Sequence, residues 1–233
     1  MPTSQAARRV RLNRDRVLKG AVDLADRIGL EALSMRTLAQ ALGVAPMALY
    51  KHVAHKDELI DGMVDLVIGE IAAPEPGVPW RAAIRGRVLD ARRVLLAHAW
   101  ARRALETRTT QSPAALDYIE STIAVFRDAG FSDDLTHHVM HAFGSRMWGF
   151  TQELFDDGAA TPSTEPPPPE VLQAMAQRYP NVLAIATTAR HRSDSVVGYG
   201  CDDQFEFEFA LDLMLDGFAR LHEQRWTSTG RPG

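Results

Sequence analysis

The stretch from Leu33 to Val53, LSMRTLAQALGVAPMALYKHV, decides the fold because it predicts two short helices joined by a glycine turn. Ser34 belongs to the residue types that cap helix N-termini, and it precedes a predicted helix over Met35–Leu42 that a glycine then ends. A proline fits the first turn of a second helix, predicted over about 45–52. Such a pair is typical of a helix-turn-helix module, whose second helix enters the major groove of DNA.

The spacing of apolar residues in this stretch divides it into a packing face and a contact face. The residues predicted to be buried are Leu38, Ala39, Leu42, Val44, Leu49 and Val53. The residues predicted to contact DNA are Ser34, Met35, Arg36, Thr37, Ala45, Pro46, Met47, Ala48, Tyr50, Lys51, His52 and Lys56. An unrelated three-helix cap with a solvated outer face is the other interpretation of this spacing.

Within the contact face, the side chains divide by chemistry. Arg36 is the best candidate for a bidentate bond to guanine, and Met47 and Ala48 can press on a thymine methyl group. Several polar side chains can donate hydrogen bonds to phosphates, namely those of Ser34, Thr37, Tyr50, Lys51, His52 and Lys56. Backbone N–H groups at the helix N-termini near Ser34 and Lys56 can do the same. With few base-reading groups, we expect much of the specificity to come from DNA shape.

Nearly every other periodic segment has the helical spacing. Further helices are predicted at about 13–28, 56–71, 80–99, 102–108, 112–129, 132–157, 169–178, 181–190 and 202–225. Phe205, Phe207 and Phe209 alternate with acidic residues as in a strand, but the continuation of the pattern favours a helix. The predicted fold class is therefore all-α, with a helix-turn-helix domain followed by a larger helical domain.

Composition limits the classes of protein to which this chain can belong. The chain has 233 residues, of which 45% are apolar and 24% charged, and its formal net charge is −4. A single cysteine, Cys201, excludes a disulfide framework and fits a reducing cytoplasm. The absence of a long apolar run or an apolar leader leads us to expect a cytoplasmic protein that neither spans a membrane nor is exported.

Charge is distributed unevenly along the chain. Residues 1–56 carry ten Lys and Arg against four Asp and Glu, whereas the remainder carries 16 against 26. This asymmetry favours a polyanion-binding module attached to an acidic body. The predicted organisation is a flexible basic tail at 1–12, a DNA-binding domain at 13–56, a connecting helix at 57–73, a second domain at 74–226 and a flexible tail at 227–233. The proline-rich stretch 74–79 is the predicted junction, and the segments 159–169 and 191–200 are predicted loops.

The stretch Leu33 to Val53, with Lys56 and Leu59 following, resembles the DNA-binding region of the tetracycline-repressor (TetR) family of transcription regulators. The resemblance rests on the Leu-Gly-Val turn, the Leu-Tyr-x-His-Val end of the second helix and the lysine that opens the next helix. It covers about residues 13–72. In the family, residues matching Tyr50 and Lys56 touch phosphate.

The resemblance also assigns base contacts. Family residues matching Arg36 and the 46–48 stretch face bases. Tetracycline repressors carry polar side chains where this chain has Pro46 and Ala48, so a different operator sequence is expected.

The remainder of the chain resembles the ligand-binding and dimerisation domain of the tetracycline repressors. The resemblance rests on the Gly130-Phe131-Ser132 corner, the proline-rich insert and the amphipathic last helix. It implies a homodimer formed by the helices at 132–157 and 202–225, and a small-molecule pocket in each protomer. The expected function is a repressor that an unidentified effector releases from a pseudo-palindromic DNA operator.

Candidate pocket residues come from the aromatic and methionine-rich second part of the chain, together with a few polar groups. They are His98, Gln111, Phe126, Met140, His141, Phe143, Met147 and Trp148. Most such aromatic and methionine positions pack in a core. The region around 105–108 holds no histidine to match the metal-chelating positions of the tetracycline repressors, so we expect no metal and no cofactor.

Two other classes of function stay open at this point. An all-α enzyme or a metal-binding protein could use His137, His138 and His141. No Glu-x-x-His or cysteine pairing supplies a further zinc ligand, however, and no catalytic motif accompanies them. Alternatively, a helix-turn-helix protein could bind a protein partner instead of an effector. The acidic neighbours of Cys201 argue against a reactive thiolate, and no catalytic residue is predicted.

Overall fold

The computed structural model describes residues 11–107, 112–149, 169–188 and 203–230, and these residues form helices and their connections, without a strand. The chain divides into two compact units, Met1–Ala129 and Gly130–Gly233. Helices of the first unit are α1 (Arg14–Ile28), α2 (Met35–Leu42), α3 (Pro46–Leu49), α4 (Lys56–Gly69), α5 (Trp80–Ala97), α6 (Ala99–Glu106) and α7 (Pro113–Asp128). Helices of the second unit are α8 (Asp133–Gly149), α9 (Pro169–Arg178), α10 (Pro180–Thr188) and α11 (Asp203–Glu223). In the part of the chain that the structure describes, no helix is both long and apolar enough to cross a membrane.

The first two helices begin and end where the sequence predicts, because their caps form. The Asn13 side chain accepts a hydrogen bond from the Arg16 backbone N–H at 2.9 Å, which satisfies one of the unpaired donors at the start of α1. Gly43 follows α2 with a φ of 64°, in the left-handed region. Its N–H bonds back to the carbonyls of Ala39 and Gln40, which is how a left-handed residue closes a helix C-terminus.

The core of the first unit is a single apolar cluster. Side chains with no exposed surface include Val17 of α1, Leu38 of α2, Leu49 of α3 and Leu59 of α4. The cluster extends to Val94, Trp100, Ala101 and Ala104 of α5 and α6. The helix-turn-helix elements and the following helices therefore share one core.

The end of the first unit packs around α4. This helix contacts α5, α6 and α7, and the rings of Trp80 and Phe126 approach to 5.9 Å between centroids. The compact unit accordingly ends at Ala129 and not at the proline-rich stretch 74–79. The domain limits 13–56, 57–73 and 74–226 stay a prediction.

In the second unit, α8 packs against α11. Phe143 and Phe218 are buried and meet edge to face at 5.1 Å between ring centroids. Phe131 and His222 stack in parallel at 4.1 Å. These aromatic pairs hold the two helices together. The helices α9 and α10 are consecutive, with only Tyr179 between them.

Several predicted limits need correction. The helix predicted at 45–52 is α3, Pro46–Leu49, because the N–H groups of His52 and Val53 both bond to the Leu49 carbonyl and close a turn. The helix predicted at 80–99 ends at Ala97, and the next begins at Ala99 instead of 102, because the backbone of His98 is not helical.

The two predicted tails are also partly anchored. Leu12 is half-buried and packs against the core of the first unit. Asp134 of α8 accepts hydrogen bonds from the backbone N–H of Ser228 at 2.6 Å and from its hydroxyl at 2.8 Å. Residues 1–10, 159–168, 191–200 and 231–233, on which further loop and tail predictions fall, lie outside the described residues.

Candidate nucleic-acid interface

The interface begins at a reciprocal cap on α2. The Ser34 hydroxyl accepts from the Thr37 N–H at 3.1 Å, and the Thr37 hydroxyl accepts from the Ser34 N–H at 2.9 Å. The Thr37 hydroxyl also donates to the Ser34 carbonyl at 3.0 Å. Both predicted phosphate-binding hydroxyls thus act first in fixing the start of the helix.

The short helix α3 is mounted on a fully apolar back. Leu49 has no exposed surface and Val53 has 1%. Leu42 and Val44, predicted to be buried, are half-buried and pack against the same cluster. Because the rear of α3 is fixed by close packing, its outer side chains are presented from a rigid base.

The outer side chains of this module match the predicted contact face with one difference. Met47 is 72% exposed and Tyr50 is 45% exposed, so these two large side chains project from the outer side of the module. Residues Arg36, Ala45, Pro46 and Lys51 are also exposed, and Thr37, Ala48, His52 and Lys56 are half-buried. Met35 differs, since it is half-buried against the core cluster.

The start of α4 is held by a cap that sequence reasoning missed. The Nδ1 atom of His55 accepts from the Glu58 N–H at 3.1 Å, and the Glu58 carboxylate accepts from the Ala54 N–H at 2.6 Å. The spacing of His55 and Glu58 is that of a capping box with histidine in place of serine, and this was the available signal. The cap places Lys56 in the first turn of α4, where backbone N–H groups add positive potential.

The predicted pocket residues are distributed over both units. In the first unit, Phe126 is completely buried beside Trp80, and His98 lies at the α5–α6 corner. In the second unit, Phe143 is buried, Met140 is half-buried and His141 is exposed. Gln111 and the side chains of Met147 and Trp148 lie outside the described residues.

A half-open cavity of about 340 Å³ lies in the second unit. It is lined by Leu135, His138, Val139, Ala142, Phe218, Leu221, Trp226 and Ser228. None of the described candidate pocket residues lines it. The histidines of α8 contact one another, with the rings of His137 and His141 at 4.5 Å. Across the described residues, no group of three or more histidine, cysteine or acidic side chains is arranged to hold a metal ion.

Behind the interface, the chain that follows α4 is held by two side chains of α5, which we call the Ala72 clamp. Arg87 donates to the Ala72 carbonyl at 2.8 Å, and Asp90 accepts from the Ala72 N–H at 2.7 Å. Arg87 also donates to Thr122 and Ser121 of α7 at 2.9 and 2.7 Å. The clamp fixes the exit of α4 against α5 and α7.

Electrostatics in the clamp follow from these contacts. Burial lowers the pKa of Arg87, opposed by the neighbouring Tyr118 and Asp90. The hydrogen bond from the Ala72 N–H lowers the pKa of the Asp90 carboxyl, and Arg93 lowers it further. The lowered pKa of Asp90 favours its ionised form, which is the form that accepts from the Ala72 N–H.

Comparisons with known proteins agree with this geometry. A family model described as bacterial regulatory proteins, tetR family, matches residues 17–63, and one described as tetracyclin repressor-like, C-terminal domain, matches residues 73–221. The chain is 31% identical over 217 residues to the HTH-type transcriptional repressor DrrR1 of Streptomyces coeruleorubidus. The matched region covers 92% of this chain and 80% of that protein. It is 40% identical over 131 residues to an HTH-type transcriptional regulator of Saccharopolyspora erythraea, 56% of each protein. The structure of apo ActR from Streptomyces coelicolor superposes with a TM-score of 0.69 at 25% identity, covering 93% of this chain and 99% of ActR.

The helix-turn-helix geometry and the matched models together define a DNA-binding transcription regulator. The chain belongs to the TetR family and carries a tetracycline-repressor-like C-terminal domain. The predicted family, all-α fold class and regulatory function are confirmed.

Proposed function

We propose that this chain acts as a homodimeric repressor that a small molecule releases from operator DNA. The observation that carries the proposal is the contrast at α3, where Leu49 is fully buried while Met47 on the same short helix and Tyr50, the residue that follows it, are exposed. A rigid base under an exposed helix is what docking in the major groove requires. The excess of basic residues in positions 1–56 supports attraction to the phosphate backbone.

The residues of the interface take distinct roles in this proposal. Arg36 reads a guanine edge, while Met47 and Ala48 contact apolar base edges. Tyr50, Lys51, His52 and Lys56, with Ser34 and Thr37 at the α2 cap, hold the phosphates on either side. Met35, Ala45 and Pro46 complete the docking surface.

A second copy of the chain would cover an apolar stripe on α11. Phe205, Phe209 and Leu213 lie at helical spacings of four residues and are 61%, 55% and 57% exposed. Exposed apolar side chains on one helix face mark an association surface. In a symmetric dimer, two recognition helices would read half-sites about 34–36 Å apart or a multiple of that distance.

Effector binding in the C-terminal domain is supported by a similar structure. ActR has been solved in complex with actinorhodin, and that structure superposes with a TM-score of 0.66 at 26% identity. Candidate pocket residues are His98, Gln111, Phe126, Met140, His141, Phe143, Met147 and Trp148. No catalytic role is proposed, because the matched relatives are transcription regulators. The proposed place of action is the cytoplasm, where the DNA lies.

The test is selection of duplexes from random-sequence DNA, followed by affinity measurement at several salt concentrations. We expect one pseudo-palindromic sequence to be enriched and the affinity to fall steeply with salt, because phosphate contacts release counterions. A scrambled duplex of equal length is the control. Retention of no duplex, even in dilute buffer, would contradict the proposal.

Release by an effector is measured on the same selected duplex. Actinorhodin is the first probe, at concentrations that leave a protein-free duplex unchanged. To empty the operator almost completely, an effector must bind the released form roughly 10⁴-fold more tightly than the DNA-bound form. An affinity for DNA that no tested small molecule alters would favour a regulator controlled by a protein partner.

A further inference from the structure

The α5–α6 corner holds a buried histidine between two carboxylates. His98 is 9% exposed. Its Nδ1 atom lies 2.9 and 3.0 Å from the two carboxylate oxygens of Asp26, and its Nε2 atom lies 3.3 Å from a carboxylate oxygen of Glu70. The indole Nε1 of Trp100 donates to the same Asp26 carboxylate at 2.6 Å. Both ring nitrogens of one buried imidazole thus face acceptors.

This arrangement matches only one protonation state of the imidazole. An ionised carboxylate accepts hydrogen bonds and donates none. A neutral imidazole has one N–H group, so its second nitrogen would direct a lone pair at a carboxylate. The imidazolium form has two N–H groups and satisfies both Asp26 and Glu70. The geometry therefore favours a charged His98.

The three groups come from different parts of the sequence. Asp26 lies near the end of α1, inside the segment 17–63 that matches the N-terminal family model. Glu70 is the residue that ends α4. His98 belongs to the segment 73–221 that matches the C-terminal model. The histidine therefore joins the DNA-binding segment, the connecting helix and the first helices of the C-terminal segment within one compact unit.

We propose that His98 is a positioning residue that, as an imidazolium, ties α1 and the end of α4 to the α5–α6 corner, so that loss of its proton as the pH rises weakens operator binding. This inference rests on the proposed function. Removing the proton converts one of the two ties into a repulsive contact between a lone pair and a carboxylate. The contacts that hold α1 and the end of α4 behind α3, the recognition helix, become weaker as a result.

The other charged groups around this corner do not compensate for that loss. On α6, Arg103 pairs with Glu31, in the turn after α1, at 2.8 Å, and Arg102 pairs with Glu106 at 2.9 Å. The carboxylates of Asp26 on α1 and Glu70 at the end of α4 are the charged groups in contact with His98.

These surroundings set the direction of the pH dependence. Burial lowers the pKa of His98, but the hydrogen bonds to Asp26 and Glu70 raise it by more, so that it lies above the ordinary 6.5. A group whose pKa is raised in the folded state stabilises the fold fully below the unfolded value. That contribution is lost as the pH rises through the folded pKa.

The experiment compares wild type and His98→Gln on the duplex that the wild type selects, at fixed ionic strength, between about pH 6 and about pH 9. We expect the wild-type dissociation constant to rise several-fold more across this range than that of His98→Gln. The two proteins share every other side chain of the DNA face, so the difference between them isolates His98. The variant Arg178→Gln, which changes an exposed residue of α9, is the control and should follow the wild type.

If His98→Gln does not fold, a second measurement on the wild type still tests the proposal. An NMR titration of the wild-type imidazole carbons should show His98 losing its proton above the ordinary 6.5, and Asp26→Asn should move the His98 transition to lower pH. The proposal is overturned if His98 titrates below the ordinary 6.5, or if folded His98→Gln keeps the wild-type pH dependence of DNA affinity. A wild type that binds no duplex at any pH contradicts the proposed function instead.

Discussion

Two regions of the first compact unit are held together by opposite means. The helix-turn-helix base consists of apolar side chains, among them Leu38, Leu49 and Leu59, which have no exposed surface. The junction behind it is held by directional polar contacts of Arg87 and His98. Apolar packing is close and non-directional, and it fixes the recognition helix as one body. Hydrogen bonds between charged groups depend on direction and on the charge of both partners, so the junction is the more sensitive of the two regions to a change of a single polar group.

The apolar base is tested by Leu49→Ala. Removing a fully buried leucine leaves a cavity and should lower the free energy of unfolding by about 2–5 kcal/mol. Denaturant titration measures this change, and DNA affinity should fall with it because α3 loses its support. The control is Met47→Ala, on the exposed side of the same helix, which should change stability by less than about 0.5 kcal/mol. Equal effects of the two variants would remove the contrast across α3.

The polar junction is tested by Arg87→Met, which keeps volume and removes the charge. The Ala72 and Tyr118 carbonyls would lose charged donors, and we expect unfolding to become easier by about 2–3 kcal/mol. Arg87→Lys is the matched control. It keeps the charge without the planar fork and should lie between wild type and Arg87→Met in denaturant titration. If Arg87→Met were as stable as wild type, the Ala72 clamp would not be what fixes the exit of α4.

The sequence predicts the apolar region much better than the polar one. Spacing and caps locate α1 and α2 to the residue, because Asn13, Ser34 and Gly43 act on their own neighbours in the chain. By contrast, the partners of His98 lie 72 and 28 residues away. Local patterns carry no information on such pairings, which is why the contacts of His98 with Asp26 and Glu70 could not be predicted.

The same limit explains the errors at helix ends. The sequence pattern is compatible with a helix that continues to residue 52. In the structure α3 ends at Leu49, where the N–H groups of His52 and Val53 close a turn onto the Leu49 carbonyl. Ser228 looked like part of a loose tail because Asp134, which holds it, is 94 residues distant. The burial pattern of α2 and α3 follows the sequence more closely because it repeats over a few residues, and their role in contacting DNA stays a prediction.

The contact face itself is sharpened by comparing Arg36→Ala with Lys56→Ala. Arg36→Ala should cost about 1–3 kcal/mol of binding and relax specificity at one base position. Lys56→Ala should weaken all duplexes alike and reduce the slope of log affinity against log salt by about one. Both are read by anisotropy on the selected duplex and its single-base variants. Arg178→Ala, an exposed arginine of α9, is the control and should leave both quantities unchanged.

The smallest effect concerns the turn that sets the angle between α2 and α3. A Cβ added at Gly43 or at Gly86 of α5 would meet no atom within 4 Å, so the two sites differ in backbone conformation and not in space. Gly43 has a φ of 64°, and an alanine there should cost roughly 1–2 kcal/mol of stability. Gly86 lies inside a helix, and Gly86→Ala should add roughly 0.5–1 kcal/mol. Thermal unfolding of the two variants should therefore shift in opposite directions, and a stabilising Gly43→Ala would mean that the turn between α2 and α3 does not hold its left-handed conformation in solution.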